Sequence, residues 1–112
     1  MTREQARQQI DIEFAKATHA RHIGNDGMVR VCARRAAGIA ITCWLRSHPR
    51  TGWGENTMSL LRILPSDDTM PLSVREAAQR LSLKITERFA SPSSPDPLED
   101  SITIIDHLLE NA

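Results

Sequence analysis

The sequence predicts an all-α fold, an up-and-down bundle of four long helices and one short helix, in a single domain over residues 1–112. Three observations lead to this fold class. Apolar residues recur at steps of three and four, and the β-branched residues fall on the same helical spacing. Tyr is absent, and no hairpin dipeptide lies between alternating runs. With 40% hydrophobic and 25% charged residues, the 112-residue chain has the size and composition for one core.

The first helix is predicted over residues 3–22. Thr2 and Gln5 have the spacing of a capping box, in which each side chain bonds the backbone of the other residue. The apolar face that follows consists of Ala6, Ile10, Phe14 and Ala17. Gly24 to Gly27 then predicts a tight connection, with Asn25 or Asp26 placed to cap the next helix.

The second helix, over about 27–47, is predicted to be the central one because small and apolar residues surround it. They are Val29, Cys32, Ala33, Ala36, Ala37, Ile39, Ala40, Cys43 and Trp44. Gly38 costs a helix interior about 1 kcal/mol relative to Ala, so we expect a packing contact that offsets this cost. Pro49 ends the helix, and a loop follows from His48 to Glu55.

The remaining helices are predicted over about 57–64, 72–89 and 97–110. Asn56 or Thr57 caps the short third helix, and Ser73 with Glu76 forms a second capping box. The face of the fourth helix is predicted to contain Val74, Ala77, Ala78, Leu81, Ile85 and Phe89. Residues 91–97 read as a stiff linker, after which Asp96 caps the last helix and Pro97 opens it. The face of this last helix is predicted to contain Leu98, Ile102, Ile105 and Leu109.

Charge is distributed unevenly, although the chain is neutral overall. Residues 1–50 carry nine basic and four acidic residues, a net charge of +5, and the remaining 62 carry five basic and ten acidic residues, a net charge of −5. Two interpretations remain open. The basic half pairs with the acidic half, within the fold or across a dimer, or its arginines bind a nucleotide or RNA phosphate.

One cluster of residues is a candidate ligand site. Arginines and large aromatic residues concentrate on the second half of the central helix and the loop after it, namely Arg34, Arg35, Trp44, Arg46, His48, Arg50 and Trp53. A nucleobase stacked on Trp with its phosphate held by Arg needs this combination. The alternative is that both Trp residues are core and that the arginines pair with acidic residues.

Other chemistry has little support in the sequence. His19 and His22 lie three residues apart on the first helix, but no Cys or acidic residue stands beside them at ligand spacing, so no metal site is predicted. No phosphate-binding loop, dinucleotide fingerprint or nucleophile elbow occurs. We therefore assign no catalytic residue and no cofactor, and the sequence favours a non-catalytic chain while it leaves the question of an enzyme open.

The layout resembles the HEPN family (higher eukaryotes and prokaryotes nucleotide-binding domain) over roughly residues 10–110. The resemblance rests on Gly24-Asn25, the Ala-rich run 31–40, Ser59-Leu60-Leu61, the run 74–81 and Pro95-Asp96. It implies a helical module that binds a nucleotide, RNA or a nucleotidyltransferase-type partner. Family ribonucleases have an Arg and a His separated by four to six residues. No Arg precedes a His at that spacing here, so the resemblance implies a non-catalytic member.

Partners and location follow from the same residues. A small core, an Ala/Gly-rich central helix and oppositely charged halves predict a homodimer. No apolar run would span a bilayer, the N-terminus has no signal-peptide core, and Cys32 and Cys43 are expected to be free thiols, so we expect a cytoplasmic protein without membrane contact. The alternative to the HEPN-like function is a structural or protein-interaction bundle with no small-molecule ligand.

Overall fold

All regular elements in the described part of the chain are helical. The computed structural model describes residues 1–83 and 96–112, and neither range contains a strand, which confirms the all-α class. The helices are α1 (Arg3–His22), α2 (Asp26–Leu45), α3 (Thr57–Ile63), α4 (Leu72–Ser82) and α5 (Pro97–Glu110), and a short 3-10 helix, Leu64–Ser66, follows α3. None of these helices combines the length and apolar character needed to cross a bilayer.

The starts of the first three helices are fixed by side-chain caps. The Thr2 hydroxyl accepts a bond from the Gln5 N–H (3.1 Å) and the Gln5 side chain accepts one from the Thr2 N–H (2.9 Å), which confirms the predicted capping box. Asn25 caps α2 through the Met28 N–H (3.1 Å), and Asn56 caps α3. Each cap bonds a backbone donor that has no partner within its helix.

The core is built around α2, as predicted, because α1, α3, α4 and α5 all contact it. Only small residues allow neighbours to approach a helix from so many sides. A Cβ at Gly38 would lie 2.8 Å from Oγ1 and 3.0 Å from Cγ2 of Thr57, the first residue of α3. Gly38 therefore admits the start of α3 against α2, which is the offsetting contact that its helix position required.

The second predicted capping box is wrong. Pro71, whose side chain offers no hydrogen bond, stands at the cap of α4, and Ser73 already lies within the helix. The predicted extent of α4 to residue 89 is also wrong, because the helix ends at Ser82 and Leu83 has an extended backbone. The reason lies in α2, because arginine side chains of that helix donate hydrogen bonds to the carbonyl groups at this end of α4. The predicted core residues Ile85 and Phe89 and the linker residues 91–95 lie outside the described ranges.

Two expectations for α5 need correction, although its bounds are as predicted. Asp96 stands at the cap position, but its side chain makes no capping bond and instead accepts a bond from Arg21 near the end of α1. The buried face of α5 consists of Asp100, Ser101, Ile104, Ile105, Leu108 and Leu109. Ser101 Oγ donates to the Ala33 carbonyl of α2 (2.8 Å). Because α5 turns Ser101 toward α2, the next residue, Ile102, faces solvent.

Smaller differences concern helix ends. The second helix begins one residue earlier than predicted and ends at Leu45, two residues sooner. The third ends at Ile63, one residue early, where the 3-10 helix containing Pro65 takes over. Differences of this size are common at helix termini.

Candidate functional site

The end of α2 and the loop after it form an aromatic cluster, defined by Trp44, His48, Arg50 and Trp53. The His48 ring stacks on the Trp44 ring with centroids 4.8 Å apart and planes 6° from parallel. Trp53 lies 6.0 Å from Trp44 in a tilted arrangement, and the Arg50 guanidinium carbon lies 4.9 Å from a Trp44 ring centroid. Trp44 is 3% exposed and Trp53 is 8% exposed, so the chain's own side chains cover both rings.

An ion pair fixes Arg50 in this cluster. Arg50 Nε donates to Asp67 Oδ2 at 3.0 Å, and the Asp67 carboxylate also accepts bonds from the backbone and hydroxyl of Thr69. Burial alone would raise the pKa of Asp67, but the bonds from Thr69 and Arg50 outweigh it and hold the pKa below its ordinary value. The pair joins the basic half of the chain to the acidic half within one fold.

Arg34 and its neighbour Arg30 bond the end of α4. Arg34 donates from Nε to the Leu81 carbonyl (2.7 Å) and from Nη2 to the Leu83 carbonyl (2.8 Å). Arg30 donates to the carbonyls of Arg80 and Leu83. Burial, with the proximity of another arginine, lowers the pKa of each. These hydrogen bonds satisfy carbonyl groups that have no partner within the helix because they lie at its end.

The two remaining predicted ligand residues are exposed. Arg35 makes no hydrogen bond or ion pair with any residue in the two described ranges, and Arg46 donates to the Met1 carbonyl. Arg34 and Trp44 are ten residues apart on one helix, which is about 15 Å along its axis. Of the seven residues of the predicted site, the structure thus brings together Trp44, His48, Arg50 and Trp53, while Arg34, Arg35 and Arg46 lie in other surroundings.

Arg46 lines a separate pocket at the start of α1. This pocket has a volume of 390 Å³ and is lined by Met1, Arg3, Cys43, Arg46, Ser47 and Ala112. The Arg3 guanidinium also donates to the backbone oxygen of Ala112 at 2.8 Å, after the end of α5. We call it the arginine pocket, because Arg3 and Arg46 both line it.

A second surface was not predicted from the sequence. The end of α1 and the start of α2 enclose a groove of 520 Å³, here called the α1–α2 groove, lined by Ala15, Lys16, His19, Ala20, Ile23, Asn25 and Met28. Ile23 is 60% exposed and Met28 is 40% exposed. Ile23 directly follows the end of α1, and Met28 lies off the core face of α2. Large apolar residues outside the periodic stripe were the signal that could have located this groove.

Cys32 does not have the surroundings of a reactive thiol. Cys32 and Cys43 are buried and free. Burial raises the pKa of Cys32, and the neighbouring Glu13 carboxylate raises it further. A thiol held protonated is a weak nucleophile. In the described residues, no group of three or more His, Cys, Asp or Glu side chains could hold a metal ion.

Comparison with known proteins adds no relative. No family model, characterised protein or solved structure matches the chain. The HEPN resemblance therefore stays a prediction, and the function has to be argued from the surfaces described above.

Proposed function

We propose that the chain is a non-catalytic helical module that binds a protein partner in the α1–α2 groove. The observation that carries this proposal is the exposure of Ile23 and Met28 side by side in a groove of 520 Å³. Exposed apolar surface with a polar rim is typical of interaction sites. The large aromatic rings expected to stack on a ligand are instead buried by their own neighbours.

The rim of the groove indicates the chemistry of the partner. Lys16 and His19 line the groove, and the exposed Lys16 ammonium group lies 3.6 Å from Oε1 of Glu13, one turn earlier on α1. The floor consists of the side chains of Ala15, Ala20 and the two large apolar residues. An amphipathic helix with apolar side chains on one face and flanking carboxylates fits such a groove.

The test uses a helix-stabilised peptide with Leu at helical spacing and Glu between the Leu residues. Fluorescence anisotropy measures its binding to the full chain, beside a peptide with Lys in place of Glu. We expect tighter binding of the acidic peptide, and a loss of at least about tenfold with Ile23→Asp or Lys16→Glu. Leu72→Asp is the matched control, because Leu72 is 65% exposed on α4. Equal binding of both peptides, or equal effects of Ile23→Asp and Leu72→Asp, would contradict the proposal.

A second candidate function is the one that the HEPN resemblance implies, binding of a nucleotide, RNA or a nucleotidyltransferase-type partner. The arginine pocket supports it, since Arg3 and Arg46 offer guanidinium donors suited to a phosphate. A nucleotide at 100 times its dissociation constant should stabilise the fold by about 2.7 kcal/mol in a thermal-shift assay. Arg46→Ala should remove that shift. A panel of nucleotides without effect would refute nucleotide binding, and RNA or a protein partner would then be tested against the same Arg46→Ala variant.

The proposal keeps the up-and-down arrangement of four long helices and one short helix, and a cytoplasmic location. Two contacts support the antiparallel placement of α1 and α5 that this arrangement requires. Arg3 at the start of α1 bonds Ala112 after the end of α5, and Arg21 near the end of α1 bonds Asp96 before the start of α5.

A further inference from the structure

We propose that the helix docked in the α1–α2 groove is α5 of a second copy of this chain, so that two copies form a symmetric dimer. This inference rests on the proposed function and names its partner. It identifies both surfaces of the interface, the groove on one copy and the outer face of α5 on the other.

The outer face of α5 has the chemistry that the groove requires. Ile102 is 44% exposed, and the exposed carboxylates Glu99 and Asp106 lie three residues before it and four residues after it. Residues at these spacings share one face of a helix. None of the three makes a side-chain hydrogen bond or ion pair with the described part of the chain. The helix therefore presents one apolar side chain between two acidic groups.

Charge selects α5 over the alternative of pairing two α1 helices. A contact between the α1 faces of two copies would bring together two surfaces that each carry Lys16 and His19, and among the described residues the only carboxylate beside each Lys16 would be that of Glu13, 3.6 Å away on the same helix. The acidic face of α5 instead brings Glu99 and Asp106 toward the Lys16 ammonium group while Ile102 enters the apolar floor. Complementary charge of this kind favours one partner by penalising the other.

The positions of the two surfaces allow the dimer to close. The groove lies at the end of α1, and Arg21 of that end bonds Asp96 at the start of α5, near Glu99. Both surfaces thus lie at the same end of the molecule. In a two-fold dimer the α5 of each copy can enter the groove of the other, which gives two identical contacts and leaves no open binding surface.

Sedimentation velocity over a concentration series tests this dimer. We expect wild type to approach twice the 12.5 kDa chain mass as concentration rises. Ile23→Asp and Ile102→Asp should each weaken the dimer by at least about tenfold. Both positions are exposed, so circular dichroism should show that the variants remain folded, and Leu72→Asp should dimerise like wild type.

Mixing the variants gives the sharpest result. Ile23→Asp keeps an intact α5 and Ile102→Asp keeps an intact groove, so their mixture should form a heterodimer with one of the two contacts. Neither variant alone has an intact contact. Lys16→Glu and Glu99→Lys should each weaken the dimer, and the combined variant should restore it.

The opposing outcomes separate this inference from the proposed function. A wild type that stays monomeric, or a dimer that survives Ile102→Asp, overturns the inference. If the acidic peptide still binds and Ile23→Asp still prevents this, the groove remains an interaction site for another protein. If the peptide also fails to bind, both proposals are wrong.

Discussion

Replacing Gly38 by Ala sets two opposing effects against each other. A methyl group at a helix interior is favoured by about 1 kcal/mol over Gly on helix propensity alone. The same methyl group would lie 2.8 Å from Oγ1, 3.0 Å from Cγ2 and 3.3 Å from Cβ of Thr57. Because Thr is branched at Cβ, rotation about χ1 cannot clear all three contacts, so α3 itself has to shift.

The packing effect should exceed the propensity effect. Overpacking of a core costs about 1–3 kcal/mol, so a middle value leaves a net decrease of about 1 kcal/mol in the free energy of unfolding. Thermal unfolding followed by circular dichroism should show a decrease in Tm of about 4–8 °C. Gly27→Ala is the matched control in the same helix, because its added Cβ meets only Asn25 Oδ1, at 3.8 Å. This control should leave the Tm unchanged or slightly higher.

A double mutant isolates the contact between the two helices. In a Thr57→Ala background the hydroxyl and methyl groups are gone, so Gly38→Ala should become neutral or stabilising. The coupling between the two changes should be about 2 kcal/mol in urea unfolding. If Gly38→Ala raised the Tm of the wild type as much as it raised that of Thr57→Ala, the argument from close packing would be refuted.

Three further predictions concern residues of the candidate ligand site and its surroundings. Asp67→Asn should lower stability by about 1–2 kcal/mol at neutral pH. Because folding lowers the pKa of Asp67, its contribution is present above the unfolded value of about 3.9 and is lost as pH falls through the folded pKa; urea unfolding of Asp67→Asn should lack this part of the acid dependence. Arg34→Ala should cost about 1–2 kcal/mol by removing two bonds to the end of α4, while the exposed Arg35→Ala should leave the Tm unchanged. Trp53→Ala should cost about 3–5 kcal/mol in urea unfolding, and an unchanged midpoint would show that its ring is not part of the core.

Sequence reasoning succeeded for several local signals, although the Ser73–Glu76 capping box and the Asp96 cap, which are equally local, did not form. The Thr2 capping box and the Asn25 cap depend on residues three positions away, and the apolar period of α1 identifies its buried face. The end of α4 could not be found in this way. It is set by Arg30 and Arg34, which stand about fifty residues earlier and bond its carbonyl groups.

The candidate site was only partly predictable for the same reason. Adjacency along the chain indicated that Trp44, His48 and Trp53 would meet, and they do. It did not decide between a ligand-binding surface and a core position for the two Trp residues, and the structure buries both rings. The ion pair of Arg50 with Asp67, from another segment, has no local signal either. Which face of α5 is buried likewise depends on the hydrogen bond from Ser101 to the backbone of α2. No pattern in the sequence of α5 therefore predicts that Ile102 is exposed.

The central position of α2 has a consequence for hydrogen exchange. A helix at the edge of a bundle can open by itself, but α2 can open only when its contacts with α1, α3, α4 and α5 are broken together. Its interior amides, around Ala36, Ala37 and Ala40, should therefore exchange with solvent only when the whole chain unfolds. Their exchange rates would measure the global free energy of unfolding without added denaturant.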